Sequence, residues 1–179
     1  MNERPEPSAL RSQRLVLEPF AAHCISPAYV GWLNDRELMR FSNQRFKIHT
    51  QDSARAYLAS FAGGPNLFLA INLAADGRMI GTATAYVSVE HRTADMGLLI
   101  GDRSLWGRGL GLEAWSSLME HLFQARSVRK VTGGAVRSNA AMIRIMERSG
   151  MHLEATRSRQ EIVEGVEQDV LHYARFLNR

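Results

Sequence analysis

Between Trp106 and Trp115 the chain reads WGRGLGLEAW, with glycines at 107, 109 and 111 set directly before a helical apolar pattern. No other stretch restricts the fold as much. A strand-like run, ADMGLLI (94–100), leads into it, and Trp115, Leu118, Met119, Leu122 and Phe123 then form the stripe of a helix over roughly 110–125. A strand that ends in a glycine-rich turn and feeds a helix presents unpaired backbone N–H groups together with the positive end of the helix dipole. That is an anion site. Without Cβ atoms the main chain can come close to phosphate oxygens, and three alternate glycines beside Arg108 exceed what a tight turn needs.

The flanking sequence supplies the frame. RLVLEPF (14–20) has strand character, and Pro27 opens a predicted helix over 27–41. A second helix is predicted over 50–64, with Thr50 as N-cap, Ala54, Tyr57, Leu58 and Phe61 on one face, and Gly63 as a stop. NLFLAIN and MIGTATAYVSVE read as a hairpin about Asp76-Gly77, a favoured two-residue turn. In the second arm Ala83, Ala85, Val87 and Val89 face one way and Thr82, Thr84, Tyr86 and Ser88 the other. After the glycine segment come a strand (128–136), a short helix (139–150) ended by Gly150, and a final hairpin about Glu164-Gly165. These elements predict an α/β (α+β) fold, with a mixed, mostly antiparallel sheet of about six to seven strands and helices on both faces. A chain of 179 residues accommodates one such domain, assigned to 12–179 behind a flexible arm at 1–11.

Several classes are disfavoured. A dinucleotide fingerprint would need a third glycine where Leu112 stands and a carboxylate after the next strand, and no P-loop motif occurs. The single Cys24 reads as a buried thiol in a cytoplasmic chain, and no spaced Cys/His cluster suggests a metal. The start MNERPEPSAL lacks the apolar core of a signal peptide, and no run is long enough to span a membrane. The net charge of +4 is spread among eighteen acidic residues, with no basic stripe interleaved with aromatics, so nucleic acid is not the expected partner.

The order strand, WGRGLG, helix, strand, then SNAAMIRIMERSGM resembles the GNAT superfamily of acetyl-CoA-dependent N-acetyltransferases, over about residues 12–177. Its pyrophosphate loop reads Q/R-x-x-G-x-G/A, with Trp106 here in place of Gln or Arg. LRSQRLVLEPF, WLND at 32–35 and Trp106 are similar to the branch that includes ribosomal-protein N-terminal acetyltransferases. WLNDRELMRFSNQRFKIHT and HRTADMGLLIGDRSLWGRG are most similar to members that acetylate amino-sugar nucleotides.

The resemblance implies acetyl-CoA as co-substrate. Leu98, Leu99 and Ile100 would pair with its pantetheine arm like an added strand, and Gly107, Arg108, Gly109, Leu110 and Gly111 would donate N–H groups to the pyrophosphate. Asn139 matches the residue that opens the penultimate helix near that arm, and Arg144 is placed to reach the nucleotide phosphates.

Acetyl transfer needs a neutral amine, a polarised thioester carbonyl and a leaving thiolate. A strand N–H near Leu99 is expected to polarise the carbonyl. Glu90, then Asp95, is expected to take the ammonium proton, since the family places its base there. Met146 stands where many relatives carry a proton-donating Tyr, so the acid is unassigned, with water or Tyr86 as candidates. Direct attack in a ternary complex is expected, as Cys24 is remote from the cofactor motifs and no Ser-His-Asp set is recognisable.

The acceptor pocket is expected from the first two helices and their loop, with Trp32, Asn34, Gln44, Arg45 and His49 as its residues. That set suits an amino-sugar nucleotide, whose diphosphate favours Arg. Asp35 and Glu37 would instead suit the ammonium of a protein N-terminus. A non-catalytic acyl-CoA-binding module is the rival from another class, and the tail strands offer a route to a homodimer.

Overall fold

The computed structural model describes residues 9–177. In chain order the elements are β1 (Leu10–Arg11), β2 (Leu15–Pro19), α1 (Pro27–Asn34), α2 (Gln51–Ala59), β3 (Leu67–Leu73), β4 (Met79–Ser88), β5 (Thr93–Ile100), α3 (Leu110–Ala125), β6 (Lys130–Val136), α4 (Ala140–Arg148), β7 (His152–Val163) and β8 (Val166–Phe176). The eight strands form one sheet in the order β1-β2-β3-β4-β5-β6-β8-β7. Only β5 and β6 run parallel; every other neighbouring pair is antiparallel.

The expected architecture is present with one strand more than six to seven. Residues 1–8 of the arm expected at 1–11 lie outside the described residues, whereas Leu10 and Arg11 pair with Leu17 and Val16 and form the extra edge strand.

Each face of the sheet is covered. The α3 stripe buries Leu110, Ala114, Trp115, Leu118, Met119, Leu122 and Phe123. These pack on Leu15, Leu17, Leu69, Ile71, Ala83 and Ala85 from β2, β3 and β4. Burying large apolar side chains of this kind stabilises the fold by about 1.5–3 kcal/mol each. The opposite face carries α1 and α2, with Phe20, Tyr29, Ala54 and Phe68 at its centre and Trp32, Leu58 and Phe61 around them. The alternation in β4 divides accordingly: Ala83 and Ala85 enter the α3 core, and Thr82 and Thr84 look toward the α1/α2 side.

Three boundaries differ from the sequence reading. Helix α1 stops at Asn34 rather than 41 because Asp35 takes an extended backbone (φ −75°, ψ 111°) and its Oδ1 accepts the N–H groups of Glu37 and Leu38, each at 3.0 Å. An Asp side chain that bonds nearby backbone offers the chain an alternative to the helix. Helix α2 is shorter than 50–64: it begins at a reciprocal cap between Thr50 and Ser53 and ends at Ala59, before turns that reach Gly63. The β3–β4 turn is wider than two residues, since the Gly77 N–H bonds the Leu73 carbonyl and the Leu73 N–H bonds the Arg78 carbonyl, both at 2.9 Å, which encloses residues 74–77. The tail hairpin keeps its expected two-residue turn, with Glu164 and Gly165 at φ 51° and 80° between paired Val163 and Val166.

The tip of that hairpin braces the loop between α1 and α2. Phe41 packs on Val136, Val163 and Val170. Arg40 pairs with Glu164 at 3.1 Å, Asn43 donates to Glu161 at 3.2 Å, and Arg45 Nη2 donates to the Ile162 carbonyl at 2.9 Å.

The sheet opens at its centre. Thr93, Ala94 and Asp95 pair with Lys130, Val131 and Thr132, and beyond Asp95 the two parallel strands part. β5 nevertheless stays paired with β4 as far as Ile100.

Candidate active site

The parting of β5 and β6 leaves one edge of β5 without a strand partner. In an antiparallel pair, successive residues turn their N–H and C=O alternately toward and away from the neighbour. The Gly101 N–H bonds the Ile80 carbonyl at 2.8 Å, so in the unbroken register Leu99 faces Thr82 and Gly97 faces Thr84. Leu98 and Ile100 therefore turn their backbone groups to the opening, and the Ile100 carbonyl meets Trp106 Nε1 at 2.9 Å. Leu98 and Ile100 remain where a pantetheine-like strand could pair. Leu99 does not, and its N–H, expected to polarise a carbonyl, is directed at β4; the free donor nearest that point is Leu98.

Above this opening stands the glycine turn. Gly107 and Gly109 have φ of 75° and 79°, a region that a side chain makes costly. Gly109 is the N-cap of α3 and offers no side-chain cap, and the first bond inside the helix runs from the Glu113 N–H to the Gly109 carbonyl at 3.1 Å. The N–H groups of Leu110, Gly111 and Leu112 thus have no helical acceptor. A Cβ on Gly111 would meet Ile145 Cδ1 at 3.0 Å and Leu98 Cδ2 at 3.5 Å, so the bare residue lets α3 pack closely on α4 and β5, whereas nothing lies within 4 Å of a Cβ on Gly107. The turn fits a diphosphate. The Arg108 N–H is the exception among the expected donors, because it bonds the Leu105 carbonyl at 3.4 Å.

A feature not foreseen from the sequence anchors this turn. Arg14 donates from Nε to Glu113 Oε2 at 2.7 Å and from Nη1 to the Arg108 carbonyl at 2.9 Å, while its backbone N–H and the Ser12 hydroxyl both reach Glu113 Oε1 at 2.7 Å. Partial burial works to raise the Glu113 carboxyl, but the bonds from Ser12 and Arg14 outweigh it and hold the group below its ordinary range. Arg14 and Glu113 are 99 residues apart, beyond the reach of any local pattern.

On the α1/α2 side a cleft of ≈ 440 Å³ abuts the end of β5. Tyr29, Leu33, Met39, Ser42, Gln44, Lys47, His49, Ser53, Tyr57, Phe68, Thr82 and Thr84 line it together with Gly97, Leu98 and Leu99. Of the expected acceptor residues, Gln44 and His49 are in this wall, and the others are engaged elsewhere. Trp32 lies flat under the end of β5, where a Cβ on Gly101 would fall 2.0 Å from its ring. Asn34 clamps the loop by donating to the Val30 and His49 carbonyls and accepting the His49 N–H at 2.9 Å. Arg45 is bound to the Ser42 and Ile162 carbonyls, facing the tail hairpin. Lys47, Tyr57, Thr82 and Thr84 are lining residues that the functional reading of the sequence missed; the alternation in β4 already had both threonines on this face.

His49 Nε2 lies 3.1 Å from the Gln44 carbonyl. A carbonyl only accepts, so Nε2 carries the hydrogen and Nδ1 is left with a lone pair. Tyr57 and Tyr86 share a hydroxyl–hydroxyl bond of 2.7 Å, and burial is the main reason the Tyr57 phenol is raised far above its ordinary range. Burial likewise pushes Tyr29 up to about 12. Both cleft tyrosines keep their protons.

The expected bases fall outside the cleft lining. Glu90 sits in the exposed turn between β4 and β5, and Asp95 accepts a bond of 2.6 Å from Thr132 on the sheet face it shares with Tyr86. Asn139 caps α4 through its side-chain oxygen, 3.2 Å from the Met142 N–H, and Arg144 is exposed on α4. Met146 is fully buried against Gly133 and Trp115, so that position delivers nothing to the cleft. Cys24 is buried in the α1/α2 core, and that burial pushes its thiol up. No helix among the described residues is long and apolar enough to cross a membrane.

The sequence and the fold have known counterparts. Residues 14–152 match the family model described as Acetyltransferase (GNAT) domain. The probable N-acetyltransferase YjcK of Bacillus subtilis (strain 168) is 26% identical over 98 residues, which is 54% of this chain and 54% of that protein. The chain thus spans about half the length of this curated relative. Among solved structures, the Salmonella typhimurium acetyltransferase that modifies the N-terminal serine of ribosomal protein L7/L12 superposes with a TM-score of 0.81 at 20% identity, covering 96% of this chain and 100% of that one. The microcin C7 self-immunity acetyltransferase MccE, in complex with acetyl-CoA and AMP, superposes with a TM-score of 0.80 at 15% identity, covering 93% and 94%. From the family match over most of its length, the chain belongs to the GNAT acetyltransferases.

Proposed function

We propose that the chain transfers the acetyl group of acetyl-CoA to a primary amine by direct attack, and that the acceptor is an amino-sugar nucleotide. Bound at the glycine turn, acetyl-CoA supplies an activated thioester. The turn holds its diphosphate through main-chain donors, and the open edge at Leu98 and Ile100 supports the arm that leads to the cleft. His49 is the lining side chain of a type suited to accept a proton near neutral pH, and Nδ1 is the nitrogen left free to do so. The Leu98 N–H is the preorganised donor for charge that develops on the carbonyl oxygen.

The observation that carries the acceptor assignment is the charge of the cleft. Among the described residues its lining contains Lys47 and His49 and no carboxylate. Asp35 and Glu37, the groups that would greet an ammonium-bearing peptide terminus, are both paired with Arg103. Lys47 thereby takes the role expected of Arg45. Tyr29, Tyr57 and Phe68 give an apolar wall of the kind that sugar and base rings pack on. MccE shows that this fold accommodates a nucleotide together with acetyl-CoA in another protein.

A panel of acceptors assayed by thiol release tests the reading. An amino-sugar nucleotide should give the highest kcat/KM, and Lys47→Ala should lower it by roughly tenfold, the weight of one charge-assisted contact. Higher kcat/KM for a serine-terminated peptide or a polyamine overturns the acceptor, and coenzyme A release from no acceptor overturns catalysis.

A further inference from the structure

The geometry points to Arg14 as a positioning residue for the coenzyme A diphosphate, acting through the turn it grips rather than through the acyl group. This inference rests on the reading of the turn as the diphosphate site.

Arg14 leaves β2's leading end and meets the turn at two places. Its Nη1 bond to the Arg108 carbonyl at 2.9 Å fixes the Arg108–Gly109 peptide plane. No peptide bond of the described residues is cis, so the Gly109 N–H points opposite to that carbonyl, away from the guanidinium and toward the free side of the turn. Glycine at 109 with φ 79° has no side chain to hold it in this orientation. The restraint comes from outside, by a bond spanning 94 residues.

The second contact concerns charge. Glu113 stands in the first turn of α3, next to the amides that would meet a diphosphate. An acidic residue there favours the helix itself but opposes a bound anion. Arg14 Nε binds its Oε2 at 2.7 Å, and the Arg14 N–H and the Ser12 hydroxyl take up Oε1. The third guanidinium nitrogen, Nη2, makes no bond within the described residues and lies 3.6 Å from where a Gly109 Cβ would stand. One side chain thus orients a donor, neutralises the carboxylate behind it and leaves unused guanidinium N–H groups beside the turn. A Lys at this position has no planar fork with which to make both bonds.

The test compares two acetyl donors, acetyl-CoA and S-acetylpantetheine, which lacks the diphosphate. Arg14→Ala should raise KM for acetyl-CoA at least tenfold with kcat within threefold, and should leave kcat/KM for S-acetylpantetheine within twofold. Arg14→Lys should fall between the two, and it carries the same comparison if the alanine variant does not fold. A merely structural role would depress both donors alike, and that result, or no change with either donor, overturns the inference. Should the wild-type protein itself use the two donors equally well, the diphosphate reading of the turn fails instead, and the two failures are told apart by the wild-type measurement alone.

Discussion

His49 owes its proposed role to a single constraint. Its Nε2 is committed to the Gln44 carbonyl and its backbone is held by Asn34, so the ring cannot turn its free nitrogen away. Gln at this position can keep the bond to Gln44 but has no basic nitrogen. His49→Gln should therefore lower kcat by about 10²-fold or more. Turnover assays with Asp95→Asn alongside decide between the two groups: if Asp95→Asn lowers kcat that far and His49→Gln does not, the proton goes to the carboxylate beside Tyr86.

At the scale of elements, α2 matters because Ser53, Ala54 and Tyr57 on it line the cleft while its start depends on a local cap. Thr50→Ala removes the acceptor of the Ser53 N–H and should destabilise the protein by about 1 kcal/mol in urea unfolding, as lost N-caps do. A midpoint unchanged from wild type would mean that packing, not the cap, holds α2. The same element shows what a sequence can disclose. Thr50, the apolar face of α2, the α3 stripe and the alternation of β4 were legible because each is written in neighbouring residues at a fixed period. The early end of α1 was not, because an Asp side chain intercepting two N–H groups competes with a good apolar pattern. The orientation of Leu99, the burial of Met146, the engagement of Arg45 and the Arg14–Glu113 clamp depend on pairings made across the molecule, which no local period records.

Across the whole molecule, carboxylates tied to arginines hold distant segments together. Asp35 lies below its ordinary value of 3.8, chiefly through the Leu38 N–H and then Arg103. Asp102 is lowered by Ser104 and then Arg78, and Asp169 by the Arg159 N–H and then Arg137. Glu113 lies below 4.5 for the reasons given above. A group whose folded-state value is depressed contributes stability that is present above its unfolded value and is lost as pH falls through the folded one. Burial also lowers the His121 ring below its ordinary value of 6.5, so the melting temperature should begin to fall as pH drops through 6.5 and decline further through the range below 4.5. Calorimetry in a buffer series checks this, and a melting temperature that rises on acidification would contradict it. The bracing of the α1–α2 loop by the tail hairpin carries a consequence of another kind. Donor capture rests on Arg14 and the glycine turn, while the contour that admits or rejects acceptors is partly moulded by Glu161, Ile162 and Glu164, far along the sequence from the wall they shape. Selectivity can drift through exchanges at a distant β-turn while the handling of the acyl carrier stays as it was, so a graft of that tip alone is a route to new acceptors.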